Sequence, residues 1–183
     1  GVQTCALPIY AKKIVDHAFK AFMVEEDNFL KIIEVNQVLN KIYQHLAAFH
    51  QDKIASSDSL DRVCKMQWRR IKCLESALVL CQHDNEDMKV KVQELTFELA
   101  DVYLKLLELK QKKFERTAGN LDPILLQKMT YYCFAGIKHC QRFLSTLGYK
   151  DAKTTFPEDM VQAAVLTLFR IGKFYAKIFT PIG

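Results

Sequence analysis

Leu99-Ala100-Asp101-Val102-Tyr103 and Ile171-Gly172-Lys173-Phe174-Tyr175 share one pattern: aliphatic, small, two variable positions, then Tyr. On a helix the small residue lets a neighbouring helix approach, and the Tyr fills the space beyond it. The pattern is that of the first helix of a tetratricopeptide repeat. Ala18 with Phe22 resembles the second helix of such a repeat, a small residue followed by an aromatic four positions later. In the fifth helical segment Ala135 takes the small position, and His139 stands where an aromatic is expected. Gly172 is therefore expected at a close helix contact.

Outward from these stretches, helical periodicity dominates the chain. The first segment is expected from about Tyr10 to Val24, with Ile14, Ala18, Phe19 and Phe22 on one face. Asp27 or Asn28 caps the second, which runs to about Lys53 and should bury Phe29, Ile32, Ile33, Leu39, Ile42, Tyr43, Leu46 and Phe49. The third follows Ser56-Ser57-Asp58-Ser59 to about Leu80, with Asp58 and Asp61 at capping-box spacing and Val63, Cys64, Ile71, Leu74 and Leu78 as its stripe. The fourth spans Glu86 to Arg116, with Val92, Leu95, Leu99, Val102, Leu106 and Leu109 facing inward. Asp122-Pro123 is a strong helix start for the fifth, which Gly148 closes. The sixth opens between Thr155 and Asp159, with Pro157 just inside, and runs to about Thr180. Phe169, Phe174 and Ile178 should leave it an exposed apolar face. Six long helices with short connections predict an all-α fold, a tetratricopeptide-like α-solenoid of antiparallel pairs.

Composition agrees. The 183 residues are 50% hydrophobic and 26% charged, with six Gly and four Pro. That excludes a disordered chain and a turn-rich β fold. No apolar run is long enough for a membrane span. Gly1–Ile9 back-translates into a sequencing-library adapter and is set apart from a helical domain over residues 10–180, whose last helices are expected to be missing. The remaining cysteines, Cys64, Cys73, Cys81, Cys133 and Cys140, are odd in number and fall inside helical patterns. Reduced thiols in a cytoplasmic protein fit them better than a disulfide framework.

The candidate chemistry is sparse. Cys81-Gln82-His83 and His139-Cys140 are the only close Cys/His pairs, and there is no C-x-x-C, so no metal site is expected. Ser59 and Asp61 are spaced as a helix cap rather than as a nucleophile and its acid. No Gly-rich phosphate loop is present, so neither a cofactor nor enzymatic activity is expected. Lys65, Arg69, Arg70 and Lys72 surround Trp68. They could form a nucleic-acid patch, or a solvated face whose aliphatic stems cover apolar surface. The net charge of +5 is modest, and from Lys89 to Arg116 seven basic residues alternate with five acidic ones. A solvated face, not a nucleic-acid site, is the expectation.

Further stretches carry a resemblance. Cys64-Lys65-Met66, Arg69-Arg70-Ile71, Phe97 to Tyr103, Leu107-Glu108-Leu109-Lys110, Phe156-Pro157-Glu158 and Phe169 to Ile178 occur in the order seen in the KIF-binding protein (kinesin-binding protein) family. Ile33 to Gln37 and Leu46 to Phe49 match an earlier part. The sequence thus resembles that family's C-terminal half from about Tyr10 to Thr180. The resemblance implies a curved helical solenoid without a catalytic site. It implies a scaffold that binds kinesin motor domains, keeps them off microtubules, and so regulates microtubule-based transport from a cytoplasmic, cytoskeleton-associated position. A helical nucleic-acid-binding or general adaptor module is the alternative.

In tetratricopeptide-like stacks the first helix of each pair lines the concave surface. On the fourth and sixth helices that face should carry Glu94, Asp101, Lys105, Lys173 and Lys177, the expected partner-binding residues. A motor's microtubule-binding face tends to be basic. Either local acidic residues, Glu25, Glu26, Asp27 and Glu34 with Glu94, Glu98 and Asp101, outweigh the positive net charge, or the family's N-terminal half supplies the negative charge.

Overall fold

The computed structural model describes residues 3–22, 28–51, 57–81, 86–116, 122–147 and 158–179. They form six α-helices: α1 Gln3–Phe22, α2 Phe29–Gln51, α3 Ser57–Leu80, α4 Glu86–Arg116, α5 Pro123–Thr146 and α6 Glu158–Phe179. No strand occurs among the described residues, so the fold is all-α as expected. The chain divides into two compact units, Gly1–Lys91 and Val92–Gly183.

In the first unit α2 and α3 are antiparallel neighbours. Ser59 Oγ, near the start of α3, donates to the carbonyl of His50 at the end of α2, 2.8 Å away. Midway along, Arg70 Nε donates to Asn40 Oδ1 at 2.9 Å. Val63, Cys64, Ile71, Leu74 and Leu78 are buried, as the periodicity predicts. The face of α2 is rotated from the expected one. Ile32, Ile33, Leu39 and Tyr43 are buried, but Ile42 and Phe49 are exposed, while Asn36 and Asn40 lie inside. The physical reason is Arg70. The residue is 1% exposed, and its guanidinium needs acceptors, which Asn40 Oδ1 and Gln67 Oε1 supply. Leaving such a group unsatisfied would cost more than leaving Ile42 at the surface.

α1 opens at Gln3, not at about Tyr10, and carries Pro8 within it. Tyr43 Oη donates to the Pro8 carbonyl at 3.1 Å, which holds α1 to α2. Ile14, expected inward, is 68% exposed; Ala18, Phe19 and Phe22 have side chains outside the described set.

In the second unit the body of α4 packs on α5, and α5 on α6. Leu95, Leu99, Val102, Leu106 and Leu109 of α4 are buried, and Val92 is half-buried. Each buried aliphatic side chain contributes about 1.5–3 kcal/mol. Ring contacts between Phe97 and Phe143 and between Tyr103 and His139 set α4 antiparallel to α5. Contacts of Cys140 with Ala164 and of Phe134 with Tyr175 set α6 antiparallel to α5. The start of α5 is capped as predicted: Asp122 Oδ1 accepts from the Ile124 amide at 3.0 Å, ahead of Pro123 in the first turn. Thr155, Phe156 and Pro157, expected at the start of α6, lie outside the described residues.

The close helix contact is not at Gly172. A Cβ there would meet nothing within 4 Å. The glycine at the contact is Gly136 of α5, where a Cβ would stand 2.8 Å from Ile171 Cδ1 and 3.3 Å from Tyr103 Cβ. One helical position is 100°, so the contact is made by the residue before Gly172, the fully buried Ile171. His139 fills the expected aromatic place as a ring: it stacks on Tyr103 with centroids 5.8 Å apart.

Candidate functional site

Glu94, Glu98, Asp101, Lys105 and Glu108 recur on α4 at steps of three and four, so they form one stripe. The buried leucines of the same helix turn this stripe outward. Glu94 is exposed, and Glu98 is half-buried. Asp101 Oδ2 and Lys105 Nζ form an ion pair at 2.7 Å, with side chains 40% and 43% exposed. A pair this open contributes at most about 1 kcal/mol.

On α6, Arg170, Lys173 and Lys177 form a second stripe at the same spacing. Arg170 is ion-paired to Glu108, which places the two stripes side by side. Lys173 and Lys177 are exposed, and Lys173 Nζ sits 4.7 Å from the centre of the Phe169 ring.

The structure thus brings Asp101 and Lys105 together, and it sets Lys173 and Lys177 on one side of α6. It does not gather all five predicted residues in one pocket. α4 and α6 each run antiparallel to α5 and so run parallel to one another. With Glu108 opposite Arg170, Glu94 lies roughly 21 Å to one side and Lys177 roughly 10 Å to the other, at 1.5 Å per residue. The result is an elongated, mixed-charge face about 30 Å long. The ion pair that joins the two stripes, Glu108 and Arg170, was not among the predicted residues. Spacing places Glu108 on the face of Asp101 and Arg170 on that of Lys173, but carries no signal that the two pair.

The remaining candidates are dispersed. Of the basic cluster, Lys65 and Lys72 are exposed, Arg69 is half-buried with its guanidinium 5.8 Å from the Tyr43 ring centre, and Arg70 is in the core. Lys72 lies over the Trp68 ring at 4.6 Å and pairs with Glu75. Ser59 donates to the His50 carbonyl, and Asp61 is exposed. Burial pushes the thiols of Cys73, Cys133 and Cys140 up to about 11, which keeps them neutral and poor nucleophiles near pH 7. Cys140 Sγ faces the Ala164 carbonyl. His83, Glu25, Glu26 and Asp27 lie outside the described residues, and Glu34 is exposed. No helix among the described residues is long and apolar enough to cross a membrane.

Comparison with known proteins gives one consistent answer. The sequence model of the family described as KIF-1 binding protein C terminal matches residues 9–182. The chain is similar to proteins named KIF-binding protein. It is 30% identical to the one from Xenopus tropicalis over 156 residues, covering 82% of this chain and 23% of the relative. The relative from Homo sapiens is 30% identical over 152 residues, 81% of this chain and 22% of its own length. The Gallus gallus protein is 30% identical over 152 residues, 81% of this chain and 24% of its own length. The chain therefore spans about a quarter of the length of the curated relatives it matches. No solved structure matches it.

Proposed function

The chain belongs to the KIF-1 binding protein C-terminal family, and we propose from that membership that it is part of a non-catalytic scaffold that binds kinesin motor domains. The observation that carries this reading is the match over residues 9–182, together with relatives named for KIF binding. Binding would inhibit the motor by occlusion: a motor surface held against a rigid helical face cannot also lie on tubulin. The protein would then act beside the cytoskeleton, in the cytoplasm, as a regulator of microtubule-based transport. It needs no cofactor for this.

The proposed contact is the elongated face of α4 and α6. Glu94 and Asp101 meet basic groups of the motor, and Lys105, Lys173 and Lys177 meet acidic ones. Mixed signs along a long strip set register and speed encounter more than they add affinity. The burial of Arg70 takes one cation out of the basic cluster, which supports a protein partner over a nucleic acid.

Co-sedimentation with microtubules tests the reading. Titrating the chain into a purified motor domain should move the motor from pellet to supernatant, and excess RNA should not reverse the effect. A motor that binds the chain directly yet pellets undiminished would refute occlusion.

A further inference from the structure

α5 turns one side inward and the other to solvent. Leu125, Met129, Gly136 and Cys140 are buried. On the opposite side Ile124, Tyr131 and Phe134 are 61%, 51% and 55% exposed. Lys128, Lys138 and Arg142 share that side and are exposed too. At 100° per residue these six fall within a sector about 120° wide, and the strip from Lys128 to Arg142 is about 21 Å long.

The charge of the strip has one sign. From Pro123 to Thr146 the helix contains no Asp or Glu. The Asp122 carboxylate ahead of it is engaged by the Ile124 amide. A helix dipole favours acids in the first turn and bases in the last. α5 has neither, so the dipole does not account for its three cations. The two aromatic rings between them are braced from beneath. Tyr131 meets the Tyr103 ring of α4 edge-on at 6.5 Å and the Tyr132 ring at 5.9 Å. Phe134 meets Tyr175 of α6 edge-on at 5.4 Å. Rings held in place before a partner arrives lose little freedom on binding, which suits them as anchors.

We propose that this side of α5 docks an acidic amphipathic helix of a protein partner. The partner's apolar stripe lies on Tyr131 and Phe134. Its carboxylates meet Lys128 at one end and Lys138 and Arg142 at the other, as a charged rim around an apolar centre. A helix fits because an exposed helix surface offers ridges and grooves to side chains but no backbone edge to a strand. The same side of a second copy is disfavoured, since cation would meet cation in either orientation. Single-stranded nucleic acid is disfavoured because three cations release too few counterions to hold it at physiological salt. None of these residues belongs to the α4–α6 strip, so the kinesin reading is not needed here. A strip this short lies well under the roughly 800 Å² per partner of a standard interface, which sets a weak, reversible Kd of about 10–100 μM.

The test selects phage-displayed random peptides of about 18 residues, long enough to span the strip as a helix, on the 183-residue chain at about 0.15 M salt. The most enriched peptide is then synthesised and its binding measured by fluorescence anisotropy. It should carry Asp or Glu on both sides of an apolar stripe at helical spacing. Phe134→Ser should weaken its binding at least tenfold. Lys138→Glu with Arg142→Glu, both at exposed positions, should do the same with helicity unchanged by circular dichroism. Exchanging the peptide's acids for lysine should restore binding to that charge-reversed variant. Four results would each overturn the proposal: no enrichment or enrichment of neutral or basic peptides, binding indifferent to the charge reversal, a uridine oligonucleotide that binds more tightly than any selected peptide, or a dimer of the chain that excludes the peptide.

Discussion

Gly136 of α5 receives the Ile171 side chain of α6 so closely that a Cβ on the glycine would lie 2.8 Å from Ile171 Cδ1. Tyr103 Cβ of α4 closes the other side at 3.3 Å. The three helices of the second unit thus converge on one residue that must be glycine.

Gly136→Val should destabilise by about 1–3 kcal/mol, because neither the fully buried Ile171 nor the Cβ of Tyr103 has room to give. Gly172→Ala should do the reverse and gain up to about 1 kcal/mol from helix propensity, since its surroundings are open. Urea denaturation at low micromolar protein measures both. Equal losses at the two positions would place the close contact at Gly172 after all.

Arg70→Ala should cost about 3 kcal/mol or more, far beyond the usual effect of a surface arginine. The side chain leaves both a cavity and two amide acceptors, Asn40 Oδ1 and Gln67 Oε1, without their guanidinium. Lys65→Ala, on the exposed side of the same helix, should change stability by less than about 0.5 kcal/mol. Similar small losses for both would mean that Arg70 is solvated.

These residues show what a sequence can and cannot carry. α3 and α4 were legible almost to the residue, because a stripe such as Leu95, Leu99, Val102 and Leu106 repeats at helical spacing over a long run. The Asp122-Pro123 start was legible because its chemistry is local. The phase of α2 was not. Hydrophobicity alone sends Ile42 and Phe49 inward, and only the position of Arg70 across the helix pair explains why Asn36 and Asn40 displace them. Gly172 was misplaced by a single position, since a repeat pattern fixes the helix but not its rotation to within 100°. In the candidate site Glu94, Asp101 and Lys105 could be placed on one face from spacing. The Glu108–Arg170 pairing that aligns α4 with α6 is tertiary, and spacing within either helix says nothing of it.

Tyr43→Phe should cost about 0.5–1.5 kcal/mol, the net value of its bond to the Pro8 carbonyl. Deleting residues 1–9 should cost at least as much, contrary to the neutral outcome expected if the segment joined no helix. Thermal melts of the two variants check this. A deletion that melts like the parent would show that the Tyr43–Pro8 contact adds no stability.

Stability should fall at alkaline pH. Cys73, Cys133 and Cys140 titrate near 11 in the folded chain because burial disfavours the thiolate, against 9.0 for an ordinary thiol. The unfolded state therefore loses its protons first. The stabilisation is complete below about pH 9 and is lost as pH climbs through the folded value. Denaturation curves across that window should show the decline, and Cys133→Ala should make it shallower. A Cys133→Ala slope identical to that of the parent would contradict the buried, protonated thiol.

The proposed binding of a kinesin motor domain to the α4–α6 face can be measured on the isolated chain. The most direct measurement is the affinity of the 183-residue chain for purified kinesin motor domains by biolayer interferometry, with and without Glu94→Lys and Asp101→Lys. Binding should be saturable, and the double reversal should weaken it by about tenfold, mainly through a slower on-rate, while the helical fold is unchanged. No binding to any motor domain, or binding that the reversal leaves untouched in rate and salt dependence, would contradict it.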